Sequence, residues 1–500
     1  MKNTAEYINK NIIIYEDKEN IQNKTPLANA MIDYRNKNCT PFDVPGHKYG
    51  RGVGELVEFY GERTVSIDFN SMKSLDILSD PTSTIKEAED LLAKAYHADN
   101  GYFVVNGTSS AVKAMIMSVC KPGDKIIIPR NAHKSSLSAM ILSGAVPVYI
   151  QPEYDFEYGV FQGVEFEEVK RIIDKNKDAK AILIINPTYY GAVSDLKKIA
   201  DYAHKYNIAV LVDEAHGAHF NFHDELPLSS MDAGADIAAV STHKTGGSLT
   251  QSSVVISQGN IVNPKIIRKY LNLNGTTSSS YLLMASIDIA RKNLALNGKK
   301  IFDSVLHLSR YGRDEINKIY GFKAFGTEII GKPGVFNFDE TKLVVNSCNL
   351  GITGFELSDI LRDEYNIQVE LGDSYNILAV VSLGDDFNSI NILIEALKDI
   401  SIKYRSSIKK VNHLKNIGEL EVAMTPRDAF YGDTEKILFK DSIGRISGES
   451  IMAYPPGIPI VTPGEVITKE VIEYTHYLRE NNALITDIED KSLNTIKVIK

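Results

Sequence analysis

The chain has 500 residues, with 55 Lys and Arg against 64 Asp and Glu, for a net charge of −9. That balance excludes the overall basic footprint of a nucleic-acid binder, and no run reaches the ~18 consecutive apolar residues of a membrane-spanning helix. Hydrophobic residues are 43% and charged residues 24%, which excludes a disordered or low-complexity chain and leaves ample material for a large core.

The first twenty residues, MKNTAEYINKNIIIYEDKEN, interrupt a short apolar run with Tyr15, Glu16 and Asp17, so no secretory leader is expected. The three cysteines, Cys39, Cys120 and Cys348, are odd in number, widely spaced and without a CxxC pair. A reducing compartment, and hence a cytoplasmic location, is expected. Residues 1–60 are polar and then turn-rich around PFDVPGHKYGRGVG, and read as an N-terminal arm.

From about residue 100 to 260, short β-rich runs recur: 102–105, 125–128, 146–150, 181–185, 209–212, 237–240 and 253–256. Most are separated by stretches long enough for a helix, such as 109–119 and 196–206. Strand alternating with helix predicts an α/β domain with a mostly parallel sheet, covered on both faces because the runs are apolar throughout. This large domain is placed at 61–298, and its last part, 264–296, is predicted helical with a break near Gly275. A smaller α/β domain is expected at 299–405. A C-terminal domain is expected at 406–500, with a polar helix-like start and the turn-rich YPPGIPIVTPGE at 454–465.

Four segments carry chemistry. NGTSSA at 106–111 follows one strand and opens a helix, where free backbone N–H groups and hydroxyls suit an anion such as a phosphate. RNAHKSS at 130–136 puts His133 at a strand exit, where its ring could lie against another ring. VLVDEAHGAHF at 210–220 ends a strand on Asp213, at the edge where open α/β sheets bind ligands. VSTHKTGGSLTQSS at 240–253 puts Lys244 at another strand exit, where desolvation would lower its pKa and make it a Schiff-base nucleophile. Alone, each has an ordinary reading: an N-cap, a polar turn, a water-facing acid, a surface lysine. Together they match pyridoxal phosphate, which has a phosphate, a flat ring, a pyridine nitrogen and an aldehyde. His216, His219 and His223, with Asp213 and Glu214, have the residue types of a metal site. They lack HExxH spacing, and nearby breakers oppose a continuous helix, so no metal is expected.

On these segments, with PGHK at 45–48, NPTYYG at 186–191 and MTPRDAFY at 424–431, the chain resembles the Orn/Lys/Arg decarboxylase family. The resemblance implies the aspartate-aminotransferase-like fold (fold type I) for the large domain, with smaller α+β domains after it. It implies pyridoxal phosphate as cofactor, and decarboxylation of a basic amino acid, arginine to agmatine foremost, in polyamine biosynthesis. Lysine or ornithine is the alternative substrate. It further implies that Lys244 carries the cofactor as a Schiff base, that Ser109 and Ser110 bind its phosphate with help from Ser241 and His243, and that His133 stacks on its ring. Asp213 would pair with the ring nitrogen, Ala215 and His216 would line the pocket, and His243 or Lys244 would return a proton to the substrate carbon. A homodimer with its active site between subunits is expected, with no nucleic-acid or membrane partner. The extra N-terminal domain of the long biodegradative relatives is not expected, because only about 40 residues precede PGHK.

One segment departs from the family. SLDILSDPTSTI at 74–85 stands near a common LDDLH-x-P-x-G pattern, with Ile77, Ser79 and Thr82–Ser83 in place of the second Asp, the His and the Gly region. This leaves substrate identity open. A guanidinium needs carboxylates, and Asp76, Asp428 and Glu449 are the candidates by motif position. An aminotransferase or β-carbon lyase would need an arginine for the substrate carboxylate, with Arg427 and Arg445 as candidates. A non-catalytic homologue would lack Lys244 or Asp213, and both are present.

Overall fold

The computed structural model describes residues 20–405, 418–454, 457–481 and 483–500. Each predicted β-run in the large domain is a strand: β1 Asn100–Val104, β2 Lys125–Pro129, β3 Val146–Ile150, β4 Ala181–Ile185, β5 Ala209–Asp213, β6 Ile237–Val240 and β7 Ser253–Ser257. They form one sheet in the order β1-β7-β6-β5-β4-β2-β3. Side chains alternate between its faces with period two, and both faces are buried. Ile127, Ile182, Val210 and Val254 pack into one core, and Ile126, Leu183, Leu211 and Val255 into another.

The sheet is parallel except for β7, which runs antiparallel to both β6 and β1. The 241–252 connection holds only a single helical turn. That is too little for a crossover, so the chain returns directly beside β6. Two reversals leave β1 pointing the same way as β6. The exits of β1, β2, β4, β5 and β6 therefore share one edge, and the four chemical segments converge there.

The helices follow the breakers. Those used below are α1 Pro26–Asn36, α2 Thr84–Ala95, α3 Thr108–Val119, α4 Lys134–Ser143, the single turn α5 Thr242–Thr245, and α6 Pro264–Asn274. After a break at residues 275–280 comes α7 Tyr281–Ile316, 36 residues long, or about 54 Å at 1.5 Å per residue. The boundary expected at 298/299 falls inside this helix, because one apolar stripe continues from the large core to the small one: Met284, Ile287 and Leu294, then Phe302, Val305 and Ile316, are all buried.

The small domain is an antiparallel sheet of β8 Lys323–Phe325, β9 Lys342–Asn346, β10 Leu371–Gly372 and β11 Asn376–Val380, in the order β8-β9-β11-β10. α8 Gly354–Tyr365 and α9 Phe387–Tyr404 follow its strands, and α8 starts on a Thr353–Glu356 capping box. The C-terminal part has two small sheets, β12 Thr434–Leu438 with β16 Thr495–Ile499, and β13 Ile451–Tyr454 between β14 Ile458–Val461 and β15 Leu484–Thr486. The expected polar helical start at 406–417 and the Pro455–Pro456 step lie outside the described residues, as do residues 1–19. Among the described residues, no helix is long and apolar enough to cross a membrane.

Candidate active site

A cavity of about 580 Å³ opens along the shared strand edge, walled opposite by the small domain around β10 and by the C-terminal part around β14. That volume lies within the usual range for a site holding a cofactor-sized ligand.

At one end, Gly107 turns the chain from β1 into α3 with φ +77°, and a Cβ there would meet nothing within 4 Å. The turn thus leaves open space against the first N–H groups of α3, where the helix dipole favours an anion. Thr108 and Ser109 line this end of the cavity, and Ser241 faces them from the start of α5. Thr108 Oγ1 hydrogen-bonds Ser241 Oγ, and lies 2.8 Å from Ser253 Oγ. Ser110, expected beside Ser109, turns away: it is buried and donates to the Asn274 carbonyl at 3.4 Å. The cause is helical geometry, since adjacent residues on α3 point about 100° apart.

His133 caps α4. Its Nδ1 accepts from the Ser135 backbone N–H at 3.2 Å and lies 2.8 Å from Ser135 Oγ. Accepting at Nδ1 leaves the proton of the neutral ring on Nε2. Burial lowers the His133 pKa, against the opposing charge of Asp213. Asp213 ends β5, 7% exposed, with its Oδ1 accepting from Ala215 N–H at 3.2 Å. Ala215 and His216 line the cavity just beyond it.

Lys244 Nζ lies 2.8 Å from His216 Nε2 and 5.6 Å from the centre of the Tyr189 ring. Burial lowers its pKa below the usual lysine value, against Asp213 and Glu370, and Lys342 adds to the lowering. His216 is held well below its ordinary value by burial first, then by Lys244 and Lys342. Its buried Nδ1 has no hydrogen-bond partner among the described residues. His243 points Nδ1 at the Ser252 carbonyl, 2.7 Å away, so Nδ1 carries the proton and Nε2 is the basic atom. Burial lowers its pKa too, against that hydrogen bond.

Several lining residues had no assigned role in the sequence. Glu370 and Asp373 face the cavity from the small domain. Tyr189 donates to Glu370 at 2.7 Å and Tyr190 to Asp373 at 2.5 Å. Burial raises the Asp373 pKa, against the Tyr190 hydroxyl and the Tyr375 and Asn376 N–H groups that bond it. The NPTYYG block marks both tyrosines, but no motif marks Glu370. Arg130 also lines the cavity, yet it is committed: its guanidinium bonds Glu465 at 2.7 Å and the Pro459 and Ile460 carbonyls at 3.1 and 3.2 Å.

The carboxylates expected at the substrate are not on this wall. Asp76 is buried and accepts backbone N–H groups of Ile77, Thr82, Ser83 and Ile85, capping the start of α2. Burial would raise its pKa, but those donors hold it below the usual value. Asp428 closes a turn with Thr425, whose hydroxyl donates to it at 2.6 Å. Glu449 accepts from the Glu489 and Lys497 backbones at 2.6 and 2.7 Å. Each is bonded to N–H groups or hydroxyls of this chain, local ones for Asp76 and Asp428 and distant backbone for Glu449. The arginines considered for an aminotransferase are likewise elsewhere, Arg427 on the Leu142 carbonyl and Arg445 on Glu435 and the Ile499 carbonyl. The histidines weighed for a metal separate, with His216 facing Lys244, His219 facing Asp339 and His223 facing Asp303.

An anion cup at a helix start, a buried carboxylate, a capped imidazole and a desolvated lysine on one edge fit pyridoxal phosphate. The fold and this edge define a pyridoxal phosphate enzyme of fold type I. Residues 25–389 match the Orn/Lys/Arg decarboxylase major domain and residues 410–487 match the C-terminal domain of the same family. The chain belongs to that family and is a decarboxylase. It is 46% identical to an arginine decarboxylase of Bacillus anthracis over 482 residues, 96% of this chain and 98% of that protein. It is 46% identical to an arginine decarboxylase of Bacillus subtilis over 484 residues, with the same coverage. Among solved structures, lysine decarboxylase A of Pseudomonas aeruginosa aligns at a TM-score of 0.83 and 21% identity, over 96% of this chain and 81% of that one.

Proposed function

We propose that the protein decarboxylates L-arginine to agmatine and CO2, in the cytoplasm, as a step of polyamine biosynthesis. The observation that carries the substrate is the 45–47% identity to four arginine decarboxylases, covering 97–98% of their length. The cavity is consistent with it, since the Glu370 carboxylate faces Lys244 from the small domain, where a guanidinium needs a charge-assisted acceptor.

When bound, pyridoxal phosphate supplies an aldehyde for the substrate amine and a ring that accepts the electron pair of the breaking Cα–carboxylate bond. In this reading Ser109, Thr108, Ser241 and the start of α3 hold its phosphate. Asp213 keeps the ring nitrogen protonated, since a nearby opposite charge favours the charged form. His133 packs against the ring and Lys244 is the amine that binds the aldehyde. Which Cα bond breaks is set by orientation, and Glu370 anchors the far end of the substrate. The substrate carbon then takes a proton from Lys244 Nζ, or from His243 after its basic Nε2 has taken one up.

We also infer a homodimer. Segment 42–60 exposes Phe42, Val44, Val53, Phe59 and Tyr60 together, with Phe42 95% and Phe59 81% exposed. Apolar exposure on this scale marks a contact surface, and a second copy covers it, completing the site between subunits.

The test is a product assay. The loaded protein is given arginine, lysine and ornithine separately, and amines are identified by mass spectrometry. Agmatine from arginine is expected. Cadaverine or putrescine alone would move the substrate while keeping the mechanism, and no amine would refute the reading. Sedimentation should give twice the chain mass.

A further inference from the structure

We propose that Lys342 is a positioning residue of the active site: from the small domain it holds the main-chain carbonyl of His216, and through it the ring that faces Lys244. The proposal rests on the reading of Lys244 as the cofactor-binding amine.

Lys342 opens β9 and is fully buried. All three of its ammonium protons are placed: on Asp339 Oδ2 at 2.7 Å, Thr341 Oγ1 at 3.3 Å and the His216 carbonyl at 3.4 Å. The other oxygen of Asp339 accepts from Thr341 N–H at 3.1 Å, Thr341 Oγ1 at 2.7 Å and His219 Nε2 at 3.2 Å. With its proton on Nε2, His219 accepts through Nδ1 from Thr245 Oγ1 at 3.1 Å. Thr245 is the residue after Lys244. The cluster therefore grips the site twice, at the carbonyl of the residue touching Lys244 and at the hydroxyl of the residue following it.

A fully buried ion pair is a poor stabilising device. Desolvation offsets most of its attraction, and apolar replacements of the whole pair are often neutral. What a lysine supplies here and an apolar residue does not is a donor for the His216 carbonyl and a positive charge that acts on Lys244. The groups facing Lys244 come from every neighbouring element: Asp213 from β5, His216 after it, Tyr189 after β4, His133 from α4, His243 beside it and Glu370 before β10. The carboxylates among them favour a charged amine. Lys342 opposes them, and so favours the neutral, nucleophilic amine.

The test uses Lys342→Met and, as a second variant, Lys342→Gln in the full chain, with two readouts that need no substrate. One is the pH midpoint of the visible absorption of the cofactor-loaded enzyme. The other is the pH dependence of acetic anhydride labelling of Lys244 in the cofactor-free protein, read by peptide mass spectrometry. Loss of the charge should raise the Lys244 pKa by about half a unit to one unit, slowing labelling below that pKa about three- to tenfold. The absorption midpoint should move upward as well. Unmoved profiles in a variant with native circular dichroism would overturn the proposal. If Lys342→Met fails to fold, Lys342→Gln decides. A Gln variant that also fails would show the cluster to be structural, which overturns the positioning role. Arginine turnover by the unaltered enzyme tests the substrate separately, so the two failures are distinguishable.

Discussion

Lys244 Nζ sits 2.8 Å from Nε2 of His216, and the opposite ring nitrogen of that histidine is buried without a partner among the described residues. The pair combines a desolvated amine with an imidazole kept neutral, which suits an amine that must attack an aldehyde as the free base. Lys244→Ala should abolish both the visible cofactor band and turnover while circular dichroism stays native. A persistent band with full turnover would show the lysine assignment to be wrong.

Asp213 stands at the exit of β5 with most of its surface buried. Asn at this position keeps the size and loses the charge that holds the ring nitrogen protonated. Asp213→Asn should fold normally and bind cofactor, with kcat down about a hundredfold to a thousandfold, the usual loss for one electrostatic partner of a transition state. Steady-state kinetics with matched cofactor occupancy checks this, and an unchanged kcat would remove the role.

Glu370 accepts from Tyr189, whose ring lies 4.4 Å from that of His216. If it anchors the substrate guanidinium, Glu370→Gln should cost about 2 kcal/mol, the worth of a charged hydrogen bond, or about thirtyfold in kcat/KM. An unchanged kcat/KM for arginine would place the anchor elsewhere.

Glu214 is buried beside Asp213 and accepts from Ser230 N–H and the Ser230 hydroxyl. Burial pushes its pKa up to about 8, against those hydrogen bonds and with Asp232 adding to the rise. The unfolded chain releases this proton near pH 4.5, so between pH 4.5 and 8 the folded state binds more protons than the unfolded one. The stability from the protonated form is then present in full below pH 4.5 and declines as pH rises through 8. Melting temperature should fall over that window, and Glu214→Gln should flatten the fall. Parallel curves for the two proteins would contradict the buried proton.

His216, His219 and His223 have separate partners. Dialysis against EDTA should leave the rate of the loaded enzyme unchanged. A large loss restored by a divalent ion would revive the metal reading.

Much of this protein was legible in the sequence because it is local. Uniformly apolar five-residue strands read as a doubly covered sheet, and Lys244, Asp213, His133 and Ser109 follow directly from strands or start helices, so their shared edge follows from a parallel sheet. The antiparallel β7 depends on how little chain joins it to β6, a length effect that the strand pattern alone conceals. Ser110 bonds the Asn274 carbonyl because one step along a helix turns a side chain by about 100°, which a motif match does not weigh. Tertiary structure alone decided the rest. Asp76, Asp428 and Glu449 are carboxylates in marked motifs, and only the fold reveals that neighbouring N–H groups and hydroxyls consume them. Glu370, Asp373 and Lys342 lie more than 95 residues from Lys244, on a separate sheet. Their approach is set by the packing of the small domain along α7 and against the strand edge, and no local spacing encodes a distance of that kind.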